Sequence, residues 1–297
     1  MKVLVVGGTG YVGPHVVAAL VAAGHQVRLL EHRAGSGAGT AAQETVPGDV
    51  GDLESLRRAA EGQEAVVHLV AILAGRPADY ERVMEQGTRN LVAASKEAGV
   101  RRFVLMSALG TDEKTKDLVP YYKAKWDNEQ AVKGSGLEYV IFRPSFVFGR
   151  DGGALQRFRK IARLAPVTPV VGPGSQRIQP IWIDDVAAYF VAGVERPDAA
   201  NRTFELGGPD VVTWNEFWSQ LKEAMGAHRP TLHVPFAVMR VQAAVLEKLP
   251  NPPVTRDQLT MLQAGDNVVT NADAVDTFAI PLVPLHEQLR RGVGRAD

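Results

Sequence analysis

The 297-residue sequence contains no cysteine. Disulfides, thiolate metal sites and thiol catalysis are therefore excluded. Its seven histidines never fall at HxxxH or HExxH spacing, which argues against zinc, so no metal is expected. An excess of either charge is also missing: 33 Lys and Arg balance 33 Asp and Glu. No sequence-wide field favours nucleic acid or an anionic membrane. Long apolar runs are absent too. Ala65 to Ala74, among the longest, is too short to span a bilayer and carries His68. The chain begins directly on a strand-like run ending in Gly7, with no basic stretch before a cleavable apolar segment. A signal peptide is not expected, and the cytoplasm is the expected location. Neither an internal repeat nor a low-complexity tract is visible.

What is present suits a soluble globular protein with a real core, at 45% hydrophobic and 22% charged. The first half alternates two kinds of segment. Lys2 to Val6, Gln26 to Glu31, Ala65 to Val70, Arg102 to Ser107 and Leu137 to Phe142 read as apolar strands. Val12 to Ala23, Asp52 to Ala60, Asp79 to Ala98 and Leu118 to Val132 read as helices, with Gly24 and Gly99 as stops. Strands separated by helices predict an α/β fold, a Rossmann-type doubly wound parallel sheet. The second half changes character. Gly149 to Gly174 is rich in Gly and Pro, with few clear elements. Gln179 to Leu206, with strands at Gln179 to Ile183 and Thr203 to Leu206 around a helix at Asp184 to Val194, looks like a return to the sheet. Three helical stretches follow, at Thr213 to Met225, Phe236 to Leu249 and Arg256 to Ala264. The expected division is a dinucleotide-binding domain of residues 1–149 plus 176–208, and a smaller, mostly helical domain of residues 150–175 plus 209–297.

The stretch VVGGTGYVG joins the first strand to the first helix. Gly7, Gly10 and Gly13 have GxxGxxG spacing there. The first glycine permits the tight turn, the second lets backbone approach a pyrophosphate, and the third lets helix and strand pack closely. The helix N-terminus offers N–H groups and partial positive charge to the phosphates. Glu31 ends the second strand 18 residues after Gly13, where a carboxylate binds ribose hydroxyls and repels a 2′-phosphate. His32 and Arg33 follow it and are able to reach such a phosphate. NAD is the expected cofactor, with NADP as the alternative.

Tyr121 and Lys125 are four apart on a predicted helix, so they share a face. Ser107 ends the strand before it. Together the three suit hydride transfer at a carbonyl or alcohol. Tyr121 passes a proton to or from the substrate oxygen, Lys125 favours the phenolate and binds the nicotinamide ribose, and Ser107 orients the oxygen.

The stretches GGTGYVG, GDVGDLESLRRA, VVHLVA, GTRNLVAAS, FVLMSALG, YYKAK, FRPSFVFG and QPIWIDDVA resemble extended or atypical short-chain dehydrogenase/reductases, the NAD-dependent epimerase/dehydratase-like group. FELGGPDVVTWNEF and PPVTRDQLTMLQAGDNVV narrow the resemblance to bacterial relatives of the NAD(P)H-binding accessory subunit of respiratory complex I. It covers nearly the whole chain. It implies cofactor contacts beyond Gly7, Gly10 and Gly13: Thr9 in the loop, with Tyr11 and Val12 offering N–H groups to the pyrophosphate. Asp49 and Val50 would lie against the adenine, and Leu69, Val70 and Ala71 beneath the ribose. Pro144, Phe146 and Val147 would lie near the nicotinamide. Relatives often carry Asn or His where VMEQGT places Met84. A thioether carries no proton, so any relay through that position is lost or rerouted.

Two functions follow. One is an oxidoreductase acting on a small apolar carbonyl or alcohol. The other is a non-catalytic NAD(P)H-binding protein that associates with a respiratory complex or senses redox state. A sugar-nucleotide epimerase or dehydratase fits less well, because only 13 residues separate Ser107 from Tyr121. Finally, Phe236, Met239, Ala243, Leu246 and Leu249 form one apolar face, widened by Val238, Val241, Ala244 and Val245. A stripe this wide is usually buried. It is expected to be the inner wall of an apolar, quinone-like substrate cleft facing Tyr121; otherwise the Gly149 to Gly174 segment selects the substrate.

Overall fold

The computed structural model describes residues 1–33, 35–37, 39–247 and 254–294. They form two compact units. The first comprises Met1–Pro144, Ile183–Leu206 and Asn271–Ile280. The second comprises Ser145–Trp182, Gly207–Thr270 and Pro281–Asp297. Residues 145–149 and 176–182 thus group with the second unit and 271–280 with the first.

The first unit is built on a seven-stranded parallel sheet. Six strands run β1 (Lys2–Val6), β2 (Gln26–Glu31), β3 (Glu44–Pro47), β4 (Ala65–His68), β5 (Arg102–Met106) and β6 (Glu138–Pro144). The seventh is Arg202–Leu206. Across the sheet the order is β3, β2, β1, β4, β5, β6, then Arg202–Leu206. The chain winds outward from β1 in both directions, so β1 and β4 flank a topological switch point, where such folds bind ligands at the carboxyl ends of the strands. Val3 to Val6 and all of β4 are buried, as expected when helices cover both faces.

The helices are α1 (Gly13–Ala22), α2 (Leu53–Ala60), the single turn α3 (Pro77–Asp79), α4 (Gly87–Glu97), α5 (Pro120–Lys133), α6 (Gly153–Leu164) and α7 (Ile183–Glu195). In the first unit α1 packs on α7, while α2 packs on α4 and α4 on α5. Asp52 caps α2 by accepting from the Glu54 N–H at 3.1 Å. The core beside α7 is aromatic: Phe142 has Phe190, Phe278, Tyr189 and Phe204 at ring-centroid distances of 5.1, 5.8, 6.0 and 6.0 Å. A Cβ on Gly193 would come within 2.7 Å of the Phe142 ring, so that glycine makes room for it.

The long helix expected over Asp79 to Ala98 is interrupted. Tyr80–Gln86 is a π-helix between α3 and α4. This wider winding buries Tyr80 and Met84 and lets Gly87 sit against Val50, where a Cβ would meet the valine at 2.9 Å.

The second unit has its own aromatic core. Phe158 on α6 lies 5.3 to 5.5 Å from the rings of Trp214, Phe217 and Trp218 on the Trp214–Ala224 helix. Thr168–Val171 pairs in parallel with Thr231–Val234, and Val147–Phe148 with Ile181–Trp182. Two expectations need correction here. Gly149 to Gly174 holds α6 and a strand, because Leu155, Phe158 and Ala162 give it a helical apolar face that its glycines obscure. Ile181–Trp182 pairs with Val147–Phe148, so of the segment from Gln179 only Arg202–Leu206 joins the main sheet.

The apolar stripe also departs from expectation. Its helix is Phe236–Leu246; Lys248 and Leu249 lie outside the described residues. Of the helix only Ala243 is buried, and Val238, Val241 and Val245 are 47%, 68% and 63% exposed. Phe236 packs on Gly172.

Phe142→Ala should destabilise the protein by about 3–5 kcal/mol, because the deleted ring is wholly buried and its rigid aromatic neighbours cannot close the gap. Chemical denaturation checks this, and an unshifted midpoint would contradict it.

Candidate active site

The glycine loop leaves the carboxyl end of β1. Gly7 has a φ of +87° and a Cβ there would lie 2.8 Å from the Val70 nitrogen, so backbone meets backbone at this edge. At Gly13 a Cβ would fall 2.3 Å from the Gly8 carbonyl. The start of the helix therefore lies directly on the loop backbone, where only glycine fits. Gly10 differs: its N–H donates to the Gly7 carbonyl at 3.1 Å, and an added Cβ would meet only that oxygen, at 3.3 Å. Gly10 and Thr9 are exposed on the open side of the loop. Val12, at the helix N-cap, supplies no side-chain cap, and the first turn of α1 has no acidic residue. A dinucleotide pyrophosphate fits this cradle, with space where a side chain would stand and a helix terminus no carboxylate neutralises.

The far end of the loop edge is acidic. A cleft of about 370 Å³ is lined by Glu31, His32, Asp49, Asp52, Ser55 and Arg58, among others. Glu31 accepts a hydrogen bond from the Gly37 N–H, which holds its carboxylate at the strand end. His32 Nδ1 lies 2.8 Å from Asp49 Oδ2, so this histidine is engaged with a carboxylate. Arg33 is exposed. Asp49 also accepts from the Gly51 N–H at 2.7 Å. Val50 is fixed by Asn90, which donates to its carbonyl at 2.9 Å. Leu69 continues the β4 edge, its N–H bonded to the Val6 carbonyl at 2.8 Å. Val70 and Ala71 follow it, half-buried. Pro144 ends β6 and accepts from the Leu109 N–H at 2.9 Å. Phe146 and Val147 belong to the second unit, where Phe146 packs on Trp214 at 5.5 Å and Val147 pairs with Ile181.

Tyr121 and Lys125 do share one face of α5. The Lys125 ammonium lies 5.8 Å from the Tyr121 ring centroid and donates to the Met106 carbonyl at 2.6 Å. Burial lowers Lys125 to about 8, against the opposing pull of the Glu129 carboxylate. Burial, with Tyr122 and Tyr80 nearby, pushes the Tyr121 phenol well above its ordinary value. The phenol thus keeps its proton at neutral pH. This arrangement does not produce the phenolate by itself.

Ser107 is placed differently. It is buried, and its hydroxyl donates to Glu129 Oε1 at 2.6 Å. Glu129, unremarked in the sequence reading, is wholly buried and also bound by Arg143 at 2.8 and 2.7 Å and by Lys133 at 3.1 Å. Burial works against its ionisation, but the hydrogen bonds and charge of Arg143, with Ser107 and Lys133, hold it below the ordinary carboxylate range. The sequence signal was available: Glu129 stands one helical turn after Lys125.

Met84 packs with Tyr80, Ala124 and Tyr121, and with Ala71 and Ile72. At Met84, where a proton relay would need a polar group, the cluster offers a thioether, with the Tyr80 phenol beside it. His68, at the end of β4, is wholly buried and bonds Thr88 Oγ1 at 2.9 Å. Burial first, and then the Lys125 cation, hold it neutral at about 3. Among the described residues no cluster of His, Asp and Glu suits a metal, and no helix is long and apolar enough to cross a membrane.

Comparison with known proteins bears on the family and the fold. The family profile described as NAD(P)H-binding matches residues 7–168. A ceramide reductase of Caulobacter vibrioides is 31% identical over 237 residues, covering 78% of this chain and 73% of that protein. The mouse mitochondrial NADH dehydrogenase [ubiquinone] 1 alpha subcomplex subunit 9 is 28% identical over 306 residues, covering 97% and 79%. An NADPH-dependent quinone oxidoreductase from Escherichia coli, solved with NADPH, superposes with a TM-score of 0.78 at 20% identity, covering 97% and 98%.

Gly10→Val should abolish dinucleotide binding and leave the fold intact, since the added side chain meets little protein but fills the cradle. Titration calorimetry with NADH and NADPH checks this; undiminished affinity in the folded variant would remove the loop from the binding site.

Proposed function

Because this chain belongs to the NAD(P)H-binding family and has the Rossmann-type fold of short-chain dehydrogenase/reductases, we propose that it is an NAD(P)-dependent oxidoreductase acting on a small apolar carbonyl compound. The observation that carries this reading is the Tyr121–Lys125 pair on the face of α5 that packs against Met84 and Ile72. The residues of the loop Gly7 to Gly13, with Glu31 and Asp49 beyond it, would hold the cofactor. When bound, the reduced nicotinamide supplies a hydride to the carbonyl carbon.

The protein's own part is protonic and steric. Tyr121, kept as a neutral phenol by its surroundings, donates a proton to the carbonyl oxygen as the alcohol forms. The neighbouring Lys125 cation stabilises the phenolate left behind. One hydride and one proton convert the carbonyl to the alcohol and NAD(P)H to NAD(P)+. A phenol that is protonated at rest favours reduction over oxidation. Met84, Tyr80 and Ile72 exclude water and favour an apolar substrate. The ceramide reductase relative, whose substrate is lipidic by name, supports that class. The acidic lining around Glu31, Asp49 and Asp52 supports a preference for NAD(H). The setting we propose is the cytoplasm.

A second reading has its own support. Ser107 is committed to Glu129, and position 84, where the resemblance implies a polar group, holds a methionine. The mouse respiratory subunit aligns over nearly all of this chain. A binding protein associated with a respiratory complex would keep the cofactor cradle and need no proton donor.

Tyr121→Phe separates the two readings. For an oxidoreductase, kcat for carbonyl reduction should fall at least about 100-fold with NADH affinity unchanged. Absence of carbonyl reduction in the wild type, across aliphatic ketones and quinones, would leave the binding reading. Glu31→Ala should weaken NADH and strengthen NADPH binding. Wild-type affinity at least about tenfold tighter for NADPH would instead assign control to Arg33 and His32.

A further inference from the structure

Ser107 and Tyr121 would ordinarily be expected to share the substrate oxygen. Here Ser107 is 1% exposed and its hydroxyl proton goes to Glu129. A hydroxyl has one proton to give, so this one is not offered to a carbonyl. Glu129 Oε1 receives Ser107 and Arg143 Nε, and Oε2 receives Arg143 Nη2 and Lys133. Four donors saturate the carboxylate, as a buried charge requires.

Glu129 lies one turn beyond Lys125 on α5, and both are wholly buried. Their partners are consecutive residues at the end of β5: Lys125 donates to Met106 and Ser107 donates to Glu129. The strand end therefore grips α5 at two points a turn apart, and Arg143 closes the grip from β6. Each charged or titratable group around Lys125 has an identified role. His68 on β4 is neutral, Tyr121 presents its ring, and Tyr80 and Tyr122 are phenols. Around Glu129 stand Arg143 on β6 and Lys133 on α5. Glu129 is the carboxylate whose field favours the Lys125 cation.

We propose that Glu129 is a positioning residue of the site: it withdraws the Ser107 hydroxyl from the substrate and holds the Lys125 ammonium in its charged form beside Tyr121, leaving Tyr121 to meet the substrate oxygen. The role in turnover rests on the oxidoreductase reading above; the effect on Lys125 does not.

The test uses the full chain labelled with 13Cε-lysine, the Lys125 resonance being identified by its loss in Lys125→Arg. The wild-type Lys125 should be a cation at neutral pH, and Glu129→Gln should lower its titration midpoint by about one pH unit. An unmoved midpoint in Glu129→Gln, or a wild-type midpoint below about pH 7, overturns the proposal. If Glu129→Gln does not fold, the wild-type titration and Ser107→Ala decide. Ser107→Ala should leave the Lys125 midpoint in place and lower kcat for NADH-dependent reduction of the aliphatic ketone or quinone that the wild type reduces by no more than about tenfold, against at least about 100-fold for Tyr121→Phe. A loss in Ser107→Ala as large as in Tyr121→Phe, with NADH affinity unchanged, would return the serine to the substrate and overturn the proposal. A chain that binds NADH and reduces no carbonyl would refute the oxidoreductase reading, while the lysine titration would still decide the assignment of Glu129.

Discussion

The close approach of α1 to β1 is the constraint on which the first unit depends. Any side chain at Gly13 would stand 2.3 Å from the Gly8 carbonyl, and one at Gly8 would strike Leu29 at 2.4 Å. With both positions reduced to backbone, α1 starts directly beneath the carboxyl edge of β1. That leaves no room for a capping side chain, and Val12 provides none. The helix terminus is left to a ligand, and the position of β1 between β2 and β4 fixes where that ligand lies. Apart from Lys125 on α5, every other candidate cofactor contact in this unit, from Glu31 to Pro144, is a residue at or just beyond the carboxyl end of a strand.

Around Tyr121 burial acts on every titratable group, and the sign follows from each group's charged form. The phenol is pushed up, the ammonium of Lys125 and the imidazole of His68 are pushed down, and all three move toward neutrality. Glu129 alone in this set goes the other way, because Arg143 reaches it with two hydrogen bonds and Ser107 and Lys133 complete its shell. A neutral phenol and a thioether at Met84 make a site of low polarity around the single Lys125 cation, with the Glu129 charge one turn away. Such a site suits a substrate that brings little charge of its own.

Much of the fold was legible because its signals are local. β1 follows from an unbroken apolar run, β2 from the apolar residues around Arg28, and α2 from Asp52 and the pattern after it. The α6 helix was hidden because glycine and proline around it mask three apolar residues at helical spacing. The π-winding at Tyr80–Gln86 was hidden for another reason: its hydrophobic spacing differs little from that of an α-helix, and what sustains it is tertiary. The valine-rich helix after Pro235 was misread because width of an apolar stripe reports the tendency to be covered, not the presence of a cover within the same chain. At the candidate site, the tyrosine–lysine spacing followed from helical geometry. The direction of the Ser107 hydroxyl did not, because it depends on Glu129 and Arg143, brought together from two other places in the chain.

The π-wound segment has a consequence for how this protein can change. A π-turn closes i→i+5 bonds and so holds about one residue more than an α-turn; losing one residue between Tyr80 and Gln86 would let the segment close to ordinary winding, with the residues on either side keeping nearly their directions. α4 and the sheet beyond it would keep their places, because Gly87 abuts Val50 and Asn90 holds the Val50 carbonyl. Length variation at this one turn is thus confined to the bulge that carries Met84 beside Tyr121, and it spares the cofactor cradle. Point substitution in the sheet core offers no equivalent.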